Sequence, residues 1–96
     1  MSIEELVQTH RDAIQRIAQK HGVLRVRIFG SAARGNATDE SDIDLLVETG
    51  PETSAWFPAG LILDLESLLG HRVDVVTEQA LRPELREAVL HDARPL

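Results

Sequence analysis

Three short segments of this 96-residue chain alternate apolar and charged side chains, and this alternation restricts the fold more than any other feature of the sequence. Within residues 23–29, 42–48 and 72–77, an apolar residue returns at every second position. Neighbouring side chains of a β-strand point to opposite faces of the sheet, so each segment predicts a strand with one apolar face. Such a face has to be covered by helices. We therefore expect one sheet of at least three strands with helices packed on it.

Helical spacing accounts for most of the remaining sequence. Before the first strand, a Ser2–Glu5 capping box starts a run of apolar residues at helical intervals. Two further helices are predicted over 59–69 and over 81–92. The predicted order is α-β-(turn)-β-α-β-α. This order indicates a small α+β (α/β) fold with a mixed sheet, in which residues 1–96 form a single domain.

The loop after the second strand contains two of the three aromatic residues of the chain, Trp56 and Phe57. Exposed aromatic side chains often anchor protein interfaces. In a chain with so few aromatic residues, however, we expect both to pack beneath the loop against the helix that starts at Ala59. The charged last helix is expected to present a solvated face, with a docking role as the alternative.

The charge balance argues against a protein that binds nucleic acid. The chain has 16 acidic and 10 basic residues and a formal net charge of −6, whereas binding to a phosphate backbone depends on Lys and Arg. It has no cysteine, which excludes a disulfide framework and a thiolate metal site. No apolar run approaches the ~20 residues of a membrane span, and the acidic N-terminus does not resemble a signal peptide. A cytoplasmic protein without a membrane segment is expected.

Three aspartates share one face of the predicted sheet. Asp42 and Asp44 flank Ile43, so they lie on the face away from the apolar residues of the second strand, and Asp74 has the same position in the third strand. If the two strands are neighbours, three carboxylates converge, and a divalent cation relieves their repulsion at neutral pH. Oxygen ligands favour Mg²⁺, with Mn²⁺ as a second choice. The alternative interpretation is an ordinary solvated Asp-x-Asp.

A glycine-rich turn precedes the Asp-x-Asp strand. Gly30 lets the backbone bend tightly after the first strand and approach a ligand closely. Ser31 contributes a hydroxyl and a backbone N–H where a short helix can begin, and helix starts attract phosphate. Arg34 has the length to contact phosphate oxygens or a neighbouring carboxylate. A phosphate-binding turn beside a cation site is more specific than either feature alone.

The chain resembles the minimal nucleotidyltransferase (MNT) branch of the polymerase-β-like nucleotidyltransferase superfamily. The resemblance covers nearly the whole chain and is carried by the motifs GSAARG, SDIDLLV and VDVV. It implies transfer of AMP from ATP to a hydroxyl, with release of pyrophosphate. The residues that it assigns to the nucleotide are Gly30, Ser31, Arg34 and Ser41. The residues that it assigns to the metal ion and to catalysis are Asp42, Asp44 and Asp74.

The same resemblance implies a protein partner. Minimal nucleotidyltransferases typically pair with HEPN-type ribonuclease toxins and act as antitoxins by placing AMP on a toxin tyrosine. This chain has no tyrosine, so a tyrosyl acceptor has to lie on another protein, and a hetero-oligomer with the toxin is expected. One alternative is an antitoxin that neutralises its toxin by binding and occlusion, without catalysis. Another is a subunit that modifies a small molecule or an RNA end.

Overall fold

The computed structural model describes all residues from Met1 to Leu96. Its helices are α1 (Ile3–Thr9), α2 (Arg11–Lys20), α3 (Ser31–Arg34), α4 (Ala59–Leu69) and α5 (Pro83–Asp92), with a 3₁₀ turn at Glu78–Ala80. Its strands are β1 (Val23–Phe29), β2 (Ile43–Thr49), β3 (Val73–Thr77) and β4 (Arg94–Pro95). The α+β order is confirmed, and the three predicted strands lie within one residue of their expected bounds. None of the helices has both the length and the hydrophobicity of a transmembrane segment.

The four strands form one mixed sheet in the order β3-β2-β1-β4. β1 runs antiparallel to β2 and to β4, whereas β2 and β3 are parallel and are connected through α4. The parallel pair starts with Ile43 opposite Val73, which brings Asp44 opposite Asp74. The sequence does not predict β4, because two residues are too few to show an alternation. The sheet thus brings the predicted aspartate strands together as neighbours.

The apolar core lies between the sheet and the helices α1, α2 and α4. Ile43, Leu45 and Val47 of β2 are almost completely buried in it, as the alternation predicts. α4 contributes Leu61 and Leu65 to the same core. Burial of a side chain of this size stabilises the fold by about 1.5–3 kcal/mol. The core therefore determines which face of β2 carries the aspartates.

The first predicted helix is interrupted. α1 and α2 are separated by His10, whose backbone has φ −102° and ψ 14°. Nδ1 of His10 lies 2.9 Å from the carbonyl oxygen of Leu6, so a side chain provides a partner for a carbonyl in the last turn of α1. The prediction of a single helix over this segment is wrong. The predicted capping box between Ser2 and Glu5 is present.

The alternation of β1 fails at its first residues. It predicts Leu24 on the core face together with Val26 and Ile28, but Leu24 is 71% exposed. The β1–β2 ladder is irregular between Val23 and Arg25, and such a bulge shifts the alternation by one residue. Val23 is buried in place of Leu24.

The aromatic pair of the loop before α4 is divided between the core and the solvent. Phe57 packs against the core, as predicted. Trp56 is 86% exposed and has a φ of 64°, a left-handed conformation that bulky residues rarely adopt. The prediction that both rings pack beneath the loop is therefore wrong for Trp56, because the backbone turns at this residue and leaves its ring in solvent.

Candidate active site

The turn between β1 and α3 lies directly against the aspartate strand. Gly30 has φ 74° and ψ −152°, a backbone conformation that is essentially restricted to glycine. A Cβ atom at this position would lie 2.5 Å from Oδ2 of Asp44, well inside van der Waals contact. Asp44 therefore packs against the backbone of the turn. The structure brings the glycine turn and the Asp-x-Asp strand into contact.

Asp44 and Asp74 face each other across the parallel strands β2 and β3, on the side of the sheet that we call the site face. Neighbouring strands are about 4.8 Å apart, so two like charges meet at short range. Burial raises the pKa of Asp44 above its usual value, the charges of Asp74 and Asp42 raise it further, and Arg34 acts in the opposite direction. The site face therefore disfavours ionised Asp44 and is stabilised by an added positive charge.

Asp42, the residue before β2, is paired with Arg72, the residue before β3. Nε of Arg72 donates to Oδ1 of Asp42 at 3.0 Å, and Nη2 donates to Oδ2 at 3.2 Å. No three His, Cys, Asp or Glu side chains of the chain are arranged as the ligands of one metal ion. Of the three predicted metal ligands, Asp44 and Asp74 lie side by side, whereas Asp42 is held by a cation of the chain itself.

The remaining predicted nucleotide-binding residues lie in or near the turn. Ser31 is the first residue of α3 and is half-buried. Arg34, the last residue of α3, donates through Nη1 to Oδ2 of Asp92 at 2.7 Å, so its observed partner is a carboxylate. The hydroxyl of Ser41 accepts from the N–H of Thr38 at 2.9 Å. Ser31 and Arg34 thus belong to the turn itself, whereas Ser41 shapes the loop beyond it.

The donor set of the site face suits a hard divalent cation. Carboxylate oxygens are the preferred ligands of Mg²⁺ and also suit Mn²⁺. The like charges of Asp44 and Asp74 raise the pKa of Asp44, and a cation between them would offset that repulsion. Asp42 lies at the same end of the site face, and both of its oxygens are bound by Arg72. The residues present therefore fit a metal ion beside the glycine turn.

Arg72 is the site residue that the sequence-based prediction missed. The signal for it lies in the register of the parallel strands. Once Asp74 is aligned with Asp44, the residues two positions earlier, Arg72 and Asp42, also become neighbours. Sequence alternation alone contains no register, so this signal requires the strand pairing to be known.

In the middle of the site face, the side chains are either buried or paired with an opposite charge. Leu46 is 1% exposed although it lies on the same side of β2 as the aspartates. Arg27 is its neighbour on β1 and forms an ion pair with Glu78 of the 3₁₀ turn. The part of the site face that remains accessible is therefore the end that carries Asp42, Asp44 and Asp74.

The sequence matches the family profile of the nucleotidyltransferase domain over residues 10–96. A protein of Methanocaldococcus jannaschii, provisionally named a protein adenylyltransferase, is 44% identical over 77 residues, which are 80% of this chain and 83% of the relative. The protein adenylyltransferase MntA of Thermococcus cleftensis is 33% identical over 90 residues, which are 94% of this chain and 88% of the relative. The similarity thus extends over most of both relatives.

Solved structures show the same fold. One that is provisionally described as a minimal nucleotidyltransferase superposes with a TM-score of 0.85 at 47% identity, over 97% of this chain and 95% of that chain. A toxin–antitoxin structure with AMP-PNP superposes with a TM-score of 0.75 at 22% identity, over 88% of this chain and 69% of that chain. The Gly-Ser turn, the Asp-x-Asp strand, the family profile and these relatives agree. The chain belongs to the nucleotidyltransferase family, in its minimal branch.

Proposed function

We propose that the chain is a Mg²⁺-dependent protein adenylyltransferase that transfers AMP from ATP to a hydroxyl of a HEPN-type toxin, and that it acts as the antitoxin of that protein. The observation that carries the proposal is the pair Asp44–Asp74, whose member Asp44 packs against the turn at Gly30. A carboxylate pair beside a glycine turn suits a metal–triphosphate. The names of the relatives and a toxin–antitoxin structure that contains an ATP analogue support the same assignment.

The proposed roles follow the geometry of the turn and the site face. We assign the β- and γ-phosphates of ATP to the backbone and hydroxyl at Gly30 and Ser31. Asp42, Asp44 and Asp74 are the residues that would hold the cation. When bound, Mg²⁺ neutralises the negative charge that the transfer develops on the triphosphate. ATP alone would add negative charge to a face that already carries three carboxylates, so the nucleotide and its metal ion are expected to bind together.

The reaction exchanges one phosphate bond for another. The acceptor oxygen attacks the α-phosphorus of ATP, the bond to the bridging oxygen breaks, and pyrophosphate leaves. We assign the proton of the acceptor hydroxyl to Asp74, which is the exposed member of the aspartate pair. The protein otherwise contributes position and charge, as in phosphoryl transfer generally.

An acceptor on a second protein is consistent with the surface around the site. The chain has no tyrosine, so a tyrosyl acceptor cannot be its own. Asp74 is exposed, and α5 buries none of its residues, so a side chain of another protein has access to the site face. Tyrosine is the acceptor that the family resemblance implies, and Ser, Thr or another hydroxyl of the partner are the alternatives.

Intact-mass spectrometry of both chains tests the proposal. The purified chain is incubated with its cognate toxin, ATP and Mg²⁺, and the toxin is expected to gain the mass of one or more AMP groups. The double variant Asp42→Asn with Asp44→Asn should abolish this addition. Asp12→Asn, which changes an exposed carboxylate on α2, is the matched control and should leave the addition intact. A stable complex without added mass would contradict catalysis and favour neutralisation by occlusion.

A second measurement uses the chain alone. Mg²⁺ with ATP should raise the melting temperature, because a ligand that binds only the folded state stabilises it by mass action. The double variant at Asp42 and Asp44 should lose this shift. An equal gain in the wild type and in the double variant would show that the carboxylates are not the metal site.

A further inference from the structure

The pairing of Asp42 with Arg72 is a feature that the three carboxylates alone do not explain. Asp42 is assigned to a cation, but both of its oxygens are bound by one guanidinium, at 3.0 and 3.2 Å. Two parallel hydrogen bonds of this kind are the strong form of the arginine–carboxylate pair. The oxygen lone pairs that face Arg72 are thereby withheld from a metal ion.

The backbone determines this pairing. The N–H of Ile43 donates to the carbonyl of Arg72 at 2.9 Å, which extends the parallel β2–β3 ladder by one step. Asp42 and Arg72 are therefore held side by side by the strands themselves. Two residues further along, the same face carries Asp44 opposite Asp74. One positive and three negative charges thus occupy successive steps of one ladder.

We propose that Arg72 is an internal counter-ion of Asp42 that a divalent cation has to displace, so that Arg72 sets the metal affinity of the site. The inference rests on the proposed function, because it requires a cation at the aspartates. A guanidinium and a metal ion repel each other and compete for the same two oxygens. Arg72 is therefore a positioning residue: it acts on the metal through Asp42.

The surroundings of Arg72 allow it to move. Its side chain is 82% exposed, so its departure from Asp42 breaks no packing. Glu66 lies close enough for its negative charge to act on the guanidinium as well. The cleft around the pair, lined by residues 39–42 and 70–72, has a volume of about 420 Å³ and no hydrophobic lining. A displaced guanidinium thus has space, solvent and a second carboxylate within electrostatic range.

Binding of Mn²⁺ to the chain, measured from the EPR signal of the free ion at low ionic strength, tests the inference without catalysis. Arg72→Ala should tighten Mn²⁺ binding about 2- to 5-fold, which corresponds to the release of an exposed ion pair. Arg72→Lys should give a smaller gain, because it keeps the charge and loses the two-point contact. Circular dichroism verifies that each variant is folded.

Asp42→Asn supplies the control that separates two explanations. If Arg72 acts through the Asp42 carboxylate, Arg72→Ala changes Mn²⁺ affinity only when Asp42 is present. An equal gain in both backgrounds would mean that the lost positive charge acts at long range, and this result would overturn the inference. The absence of any gain in the wild-type background would also overturn it. A wild-type chain that binds no Mn²⁺ would overturn the role of Arg72, whereas the addition of AMP mass to the toxin tests the proposed function independently.

Discussion

Replacement of Gly30 by alanine tests the contact on which the candidate site depends. Gly30 has φ 74° and ψ −152°, and a residue other than glycine in such a region costs about 1–3 kcal/mol. The new Cβ would also lie 2.5 Å from Oδ2 of Asp44. Pushing a side chain such as that carboxylate about 30° away from a staggered rotamer costs a further ~0.5–1.5 kcal/mol. We therefore expect Gly30→Ala to lower the free energy of unfolding by about 1.5–4.5 kcal/mol.

Urea denaturation followed by circular dichroism measures this loss. Gly35→Ala and Gly70→Ala are matched controls, because both glycines have positive φ angles but a Cβ there would meet no atom within 4 Å. Each control should cost only the left-handed strain of alanine, about 1–2 kcal/mol. A domain with an ordinary stability of about 5–15 kcal/mol remains folded in all of these variants.

A double-mutant cycle with Asp44→Ala separates backbone strain from the side-chain contact. Without the Asp44 carboxylate, Gly30→Ala should cost about 0.5–1.5 kcal/mol less. The Mg-ATP thermal shift should be lost in Gly30→Ala and retained in Gly35→Ala. Equal losses of stability for Gly30→Ala and Gly35→Ala, or the same loss with and without the carboxylate, would refute the contact between the turn and β2.

Three further predictions concern charge, core and loop. Burial and the charge of Asp74 raise the pKa of Asp44 above its ordinary value of 3.8, so the folded state binds this proton more tightly than the unfolded state. The metal-free chain should therefore lose stability as the pH rises from 3.8 through the raised pKa. Asp44→Asn should therefore be the more stable protein near neutral pH in denaturation experiments, with the difference closing on acidification. Leu61→Ala, at a fully buried position of α4, should lower the free energy of unfolding by about 2–5 kcal/mol. Leu63 on the same helix is 65% exposed, so Leu63→Ala should change this free energy by less than ~0.5 kcal/mol. Similar losses in the two variants would contradict the assignment of the core face of α4. Trp56→Gly should stabilise the fold by up to ~1 kcal/mol, because the relief of left-handed strain exceeds the entropy cost of glycine; a loss of that size would show that the exposed ring makes stabilising contacts.

The strands and the site turn are predictable from sequence because one physical requirement determines each of them. Alternation in β2 follows from the burial of Ile43, Leu45 and Val47, and this burial also directs Asp44 to the other face. Gly30 is predictable as part of a tight turn, because its backbone angles are restricted to glycine, whereas the approach of Asp44 appears only in the structure. At these positions the local sequence pattern and the tertiary structure require the same type of residue.

The features that escaped prediction depend on contacts between distant segments. The exposure of Leu24 follows from an irregular pairing with β2, and the helix break at His10 accompanies a side-chain contact with a carbonyl. The capture of Asp42 by Arg72 requires the register of two strands that are 30 residues apart in sequence. Periodicity contains no information on register, so these features become visible only in three dimensions.

The two faces of β2 have a consequence for how the protein evolves. A shift of this strand by one residue would turn Ile43, Leu45 and Val47 out of the core and bring Asp44 into it. Each of those side chains stabilises the fold by about 1.5–3 kcal/mol, so the shift would remove most of the stability of a small domain. Mutation can erase the aspartates one at a time, but it cannot move them along the strand. A lineage that relocated this site would have to rebuild its core at the same time.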